Sequence, residues 1–279
     1  MISQPEERLI LDHAYVPEHV PGYVRAISGA EAHLVEEYLC YAAEASLIFI
    51  GYPLRSPFQE EAMREALNAA LSRFRPKQVA LIAPAISLDR GAIRQRDRDH
   101  YYRLDLSTLT VQANVRNMIR RASGEVRVER GQEMEQEHVR LVSEFLESHP
   151  VGQDTGYLYE RIPAYVSAVS TAWVLSARNG AGSLAAFAVA ELAARDYAFY
   201  QFSFRSKHSY VPGTSDLLLY ALVEAARQEG KSFVNLGLGI HPGVMRFKEK
   251  WGGKPFLPYE YCRYAPGPSR PFDLFLRQL

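Results

Sequence analysis

Cysteine is nearly absent: Cys40 and Cys262 are the only two in 279 residues, and no CxxC spacing occurs. A framework of disulfides is thereby excluded, and the count suits a reducing compartment. Long apolar runs are missing too. The richest, "SLAAFAVAELAA", is interrupted by Glu191 and falls short of the roughly 18 residues a membrane span needs. The opening "MISQPEERLILDH" has no basic start leading into an apolar stretch, so no signal peptide is expected. Neither charge is in excess, since Lys+Arg and Asp+Glu both number 32, and no global field marks a nucleic-acid binder. The eight histidines are dispersed, with no HExxH motif and no pair at i, i+4, so no metal site is expected. A GxSxG elbow and a GxxxxGK[ST] loop are also lacking, which leaves serine-hydrolase and P-loop chemistry without a basis. The expectation is a soluble, cytoplasmic protein.

What is there reads as an ordinary globular chain, 47% hydrophobic and 23% charged, with material for one large domain or two smaller ones. "YVRAI" and "SLIFIGY" have strand composition. "PFQEEAMREALNAALSRF" carries Met63, Ala66, Leu67, Ala70, Leu71 and Phe74 as an apolar stripe at helical spacing. "QVALIAPAI" reads as a buried strand. This alternation predicts a small α/β domain over residues 1–103, with a second domain over 104–279. A charge-dense link, "LDRGAIRQRDRDHYYR", separates them. From Arg90 to Arg130 ten arginines face five acids, a local excess of five. Such a run is either solvated charge or a docking surface for a polyanion.

Beyond the link, "YRLDL" and "EVRVE" read as strands, with "TVQANVRNMIRRAS" a helix between them. "EMEQEHVRLVSEFLES" and "YERIPAYVSAV" read as helices, and "TAWVLSA", "SLAAFAVAEL" and "DYAFYQFSF" as three successive strands. "TSDLLLYALVEAARQEG" is the clearest helix, with Thr214 or Ser215 as N-cap, Asp216 in its first turn and Gly230 at its end. "SFVNLGL" is a buried strand, "GVMRFKEKWGG" a helix closed by two glycines, and "PFLPYEYCRY" a last extended stretch. The order strand, two helices, three antiparallel strands, helix, strand, helix, strand over residues 104–264 resembles the GNAT (acyl-coenzyme A N-acyltransferase) fold, an α/β (α+β) architecture. The first hundred residues suit a degenerate second copy, making a tandem pair.

In that fold a [QR]xxGx[GA] loop aims backbone N–H groups at the coenzyme A pyrophosphate from a helix N-terminus. Here the stretch is "HSYVPGTSD". Only Gly213 is present, Val211 stands where a glycine is expected, and Pro212 has no N–H. A different branch fits better. "FRSKHSYVPGTSDLLLYALVEAARQEGKSFVNLGLG" followed by "RFKEKWGGKPFLPYEY" resembles the C-terminal catalytic region of phosphatidylglycerol lysyltransferases and, more loosely, the Fem-type aminoacyltransferases. "YRLDLSTLTVQANVRNMIRRAS" resembles the segment that opens their second domain. The resemblance implies an acyl- or aminoacyltransferase that uses aminoacyl-tRNA and an amine, peptide or lipid-headgroup acceptor, with no tightly bound cofactor. The membrane half of the lipid-modifying enzymes is not part of this chain.

At 100° per residue Val244, Phe247 and Trp251 form one seam of the "RFKEKW" helix, with Lys248 beside it and Arg246 and Glu249 turned away. The resemblance gives Lys248 the task of opposing the negative oxygen that develops in acyl transfer; the plain alternative is a lysine stem lying along apolar surface. Asp216 either faces the helix dipole or orients an acceptor amine. Tyr210 is a candidate general acid. Arg205, Gly213, Thr214 and Phe247 are candidates for holding the donor, and Arg116 and Arg120, with Arg121, for holding tRNA. Glu191 reads as a solvated strand end or a base. Two rival readings remain: an acyl-coenzyme A N-acyltransferase with a divergent loop, and a non-catalytic ligand-binding or regulatory protein.

Overall fold

The computed structural model describes residues 1–87 and 93–266. Residues 88–92 of the charge-dense link, Arg90 among them, and most of the proline-rich tail lie outside the described residues. The chain divides into two compact units that interleave in sequence. One comprises residues 1–2, 30–99 and the stretch from Pro258; the other comprises 3–29 and 100–257. The expected boundary at 103/104 lies inside a single long strand, Ile93–Asp105, part of which counts with each unit.

In the first unit β1 (Glu31–Val35), β2 (Tyr38–Ala43), β3 (Ser46–Ile50), β4 (Gln78–Ala83) and β11 (Lys254–Tyr264, from Pro258 on) lie side by side in that order. Helix α3 (Glu60–Phe74) connects β3 to its parallel neighbour β4. It buries Met63, Ala66, Leu67 and Ala70 against Phe49, Val79 and Leu81, the stripe its spacing predicts.

The second unit begins with α1 (Gln4–His13), a short 3₁₀ turn at Pro17–His19, and α2 (Pro21–Ser28). The "YVRAI" stretch, expected as a strand, lies inside α2. Its β-branched residues are overridden by Pro21 at the helix start and by Gly29, whose φ of 69° closes the C-terminus. The sheet order is β5 (Ile93–Asp105, from His100 on), β10 (Phe233–Leu238), β9 (Tyr197–Arg205), β8 (Leu184–Glu191), β7 (Ala172–Asn179), β6 (Val126–Gly131). The three-strand meander β7–β8–β9 is antiparallel, and β10 returns parallel to β9 after helix α8 (Thr214–Gln228). Helix α8 and α4 (Ala113–Ser123) cover one face through Leu218, Leu219, Leu222 and Val223. On the other face lie α5 (Gln136–Ser148) and α7 (Ile162–Ala168). The single helix expected at "YERIPAYVSAV" is divided at Arg161 into α6 (Gln153–Glu160) and α7, with Pro163 in the first turn of the latter. Helix α9 (Pro242–Lys250) follows β10. This is the α/β GNAT architecture that the element order implies.

Candidate functional site

The parallel strands β9 and β10 pair only over Tyr197–Phe199 and Phe233–Asn235, then part. Both are irregular where they part. On β9, Val189 faces Phe202 and Ala190 faces Tyr200, leaving Gln201 as an extra residue. On β10, Asn235 faces Arg103 and Gly237 faces Tyr102, leaving Leu236 extra. Bulges of this kind end pairing and re-aim side chains beside functional sites. Asn235 Oδ1 accepts from the Gly237 N–H at 2.8 Å, and Gly237 takes φ 74°, a backbone shape that favours glycine.

Lys248 fills the end of this gap. The helical wheel sets it beside the apolar seam with its ammonium at the edge, but it is the buried residue of α9, 4% exposed. The stem runs inward because the Nζ reaches a partner that a wheel cannot show, the Leu238 carbonyl of the facing strand. Its Nζ also lies 5.6 Å from the Tyr102 ring centre, and a Cβ on Gly237 would stand 3.9 Å from both this Nζ and the Tyr200 carbonyl oxygen. Removing an ammonium from water costs several kcal/mol. A charge-assisted bond returns about 1.5–3 kcal/mol and an aromatic face about 0.5–2.

The helix is held there by its ends. His241 Nδ1 accepts from the Gly243 and Val244 N–H groups at its start. At its close Gly252 takes φ 84°, and Gly253 packs where a Cβ would stand 2.8 Å from the Lys248 carbonyl oxygen. Asp216, 3% exposed, accepts from Trp251 Nε1 at 2.9 Å and pairs with Lys250 at 2.7 Å. The carboxylate therefore ties the first turn of α8 to the last turn of α9. Phe247 is partly buried against the core and meets Lys250, whose Nζ is 5.1 Å from its ring centre.

The loop before α8 differs from its expected capping. Neither Thr214 nor Ser215 is the N-cap; Gly213 is, with φ 87°, and the Thr214 hydroxyl donates to the Val211 carbonyl at 2.7 Å. A Cβ on Gly213 would meet the Met118 carbonyl oxygen at 2.5 Å, so only glycine admits α4 this close. Thr214 N–H is also directed to Val211, at 3.3 Å. Arg205 lies over the Tyr210 ring, 5.5 Å from its centre, and Tyr210 is 54% exposed. Arg116 and Arg120 stand exposed one turn apart on α4, Arg116 donating to the Val111 carbonyl. Two further arginines of the basic run are used in packing: Arg103 is sandwiched between Phe233 and Phe256, and Arg130 covers Trp173.

The face of the sheet opposite α8 holds groups of which the sequence marks only Glu191. Glu191 is fully buried rather than a solvated strand end. It accepts from the Tyr165 hydroxyl at 2.6 Å and from the Leu192 and Ala193 N–H groups. Burial, then the adjacent Glu191, holds the Tyr165 hydroxyl well above the ordinary tyrosine range. The Tyr165 ring packs edge-on to Tyr23, and Glu18 accepts from the Tyr101 hydroxyl at 2.8 Å, burial raising the Glu18 carboxyl. On the α8 side, burial and then nearby Asp216 push Tyr200 up to about 12. A separate groove of about 300 Å³, lined by Val142, Leu146, Tyr159 and Pro163, shares no residue with the gap. Among the described residues no group of three His, Cys, Asp or Glu is placed to hold a metal ion, and no helix is long and apolar enough to cross a membrane.

No protein-family model matches the chain, and no curated protein matches it. Solved structures do. The C-terminal domain of a proposed lysylphosphatidylglycerol synthetase from Agrobacterium fabrum superposes with a TM-score of 0.59 at 15% identity, covering 99% of this chain and 96% of that one. FemX gives 0.57 at 11% identity, covering 94% and 96%. A tandem GNAT protein from the clavulanic acid biosynthesis pathway gives 0.54 at 14% identity, covering 84% and 79%. At these identities the shared property is the tandem GNAT fold.

Proposed function

We propose that the chain is an acyltransferase that moves an aminoacyl group from aminoacyl-tRNA to an amine acceptor. The observation that carries this reading is the buried Lys248 ammonium at the place where β9 and β10 part. A fixed cation in a site that excludes water opposes negative charge developing on a carbonyl oxygen, typically the largest single contribution to such catalysis. The acceptor amine attacks the ester carbonyl, the oxyanion forms against Lys248, and collapse breaks the ester C–O bond, the tRNA 3′-oxygen leaving as a hydroxyl with the proton that the amine gives up. The fold neighbours named for lysylphosphatidylglycerol synthesis and FemX support the class.

The donor half rests on the loop before α8. A coenzyme A cradle needs free N–H groups aimed outward. Here Pro212 has none, the Thr214 N–H turns back to Val211, and the Met118 carbonyl presses against Gly213 with its negative end. Arg116 and Arg120 on the exposed side of α4 suit a polyanion and give the tRNA a place to dock. Arg205 and Tyr210 stand at the outer end of β9, where a phosphate of the tRNA end is within the reach of a guanidinium.

The test is single-turnover transfer from a pool of charged tRNA to a panel of small amines and peptides, set beside acetyl-coenzyme A as donor. Transfer from charged tRNA, lowered about 100- to 1,000-fold by Lys248→Met, is the expected result. Transfer from acetyl-coenzyme A alone would replace the donor, and full activity in Lys248→Met would remove the mechanism.

A further inference from the structure

One side chain beside the gap has both of its polar ends buried and unmet. Gln201 is the extra residue of the β9 bulge, and neither its Oε1 nor its Nε2 touches solvent or has a hydrogen-bond partner among the described residues. The Tyr165 hydroxyl lies beside it but directs its proton to Glu191. A buried amide with both ends unmet is costly, and such groups persist where a ligand completes them. The bulge takes the residue out of the alternation of its neighbours: Tyr200 faces α8, and Phe202 and Phe204 pack on the α5–α7 side. Gln201 is bonded to Tyr200, whose carbonyl oxygen lies 3.9 Å from the same Gly237 Cβ position as Lys248 Nζ. The amide thus belongs to the residue next to the one whose backbone borders the ammonium.

A glutamine amide offers one acceptor and two donors on adjacent atoms. An α-aminoacyl ester offers the complement, an ammonium and a carbonyl separated by one carbon. A simple acyl group offers only the carbonyl. We propose that Gln201 is the specificity-determining residue that recognises the α-amino group of the acyl moiety, its Oε1 accepting from the ammonium while its Nε2 donates to the carbonyl that Lys248 also faces. Glu191, fully buried behind the Tyr165 hydroxyl, adds negative charge on that side and favours the ammonium further. This inference rests on the aminoacyl-transfer reading and names what the site selects: α-aminoacyl over plain acyl groups.

Unreactive amides separate the two ideas. Alaninamide and leucinamide, each set against its deamino counterpart (propionamide and 4-methylpentanamide), are titrated by NMR into the full chain and its variants. The wild-type protein is expected to prefer each amino-acid amide by about tenfold or more, since a site with unmet polar groups rejects a ligand that leaves them unmet. Gln201→Met should reduce that preference to within about twofold and, with no amide left unmet, raise the melting temperature by about 2–4 °C. Gln201→Glu keeps the acceptor and should keep the preference for the ammonium. An unchanged preference in Gln201→Met overturns the inference while leaving transfer from charged tRNA in place. A wild-type protein that binds both members of each pair equally also overturns it. Binding of neither pair, together with no transfer from charged tRNA, overturns both.

Discussion

Two stretches of the chain are built alike: β3–α3–β4 in one unit and β9–α8–β10 in the other, each a strand, a fifteen-residue helix and a second strand parallel to the first. In the first, all five residues from Ser46 to Ile50 pair in unbroken register with Gln78–Ile82. The space just beyond is sealed: Gly51 donates to the Ile82 carbonyl, and a Cβ there would stand 2.6 Å from Ala83 Cβ and 2.7 Å from Met63 Sδ. In the second, pairing stops after three residues and both strands bulge. There the space holds Lys248 Nζ instead of methyl groups, and Gln201 is the extra residue on the bulge beside it. The same supersecondary unit is packing where its strands stay joined and a candidate site where they part.

That contrast can be broken from the closed side first. Gly51→Val should cost about 2–3 kcal/mol of stability in chemical denaturation, because the added carbons meet a neighbouring strand that has no room to yield. Activity per folded molecule should not change, and a selective loss of activity would give the closed unit a catalytic part. From the open side, Gly237→Ala sets a left-handed backbone under a methyl at ordinary contact distance from Lys248 Nζ. It should cost about 1 kcal/mol of stability, yet lower transfer tenfold or more, read as kcat against melting temperature. The smallest effect is expected at Ile240, an exposed β-branched residue held at φ 60° in the turn between β10 and α9. Ile240→Gly should raise stability by up to about 1 kcal/mol. A drop in stability would mean that the side chain, and not the turn, holds that segment.

The parts of this arrangement that depend on spacing along one element are legible in the sequence. The α3 stripe and the exposed positions of Arg246 and Glu249 follow from a 100° rotation per residue. What is hidden depends on partners distant in sequence. Lys248 looks like an edge residue because a wheel does not include Leu238, and Glu191 looks solvated because Tyr165 is 26 residues away. Gln201 is hidden for another reason. "YAFYQFSF" is so rich in aromatics that its alternation carries no phase, and a one-residue bulge leaves no mark in it. The β1–β2 hairpin also escapes notice. Its two-residue loop uses Glu36 at φ 55° where an asparagine or glycine would have announced the turn.

Asp216 has a mechanical consequence. By joining α8 to Trp251 and Lys250, it makes the two helices on that side of the gap one rigid body, with Lys248 fixed in it. On the proposed reading of the site, the cation that opposes the developing charge keeps its place from one turnover to the next.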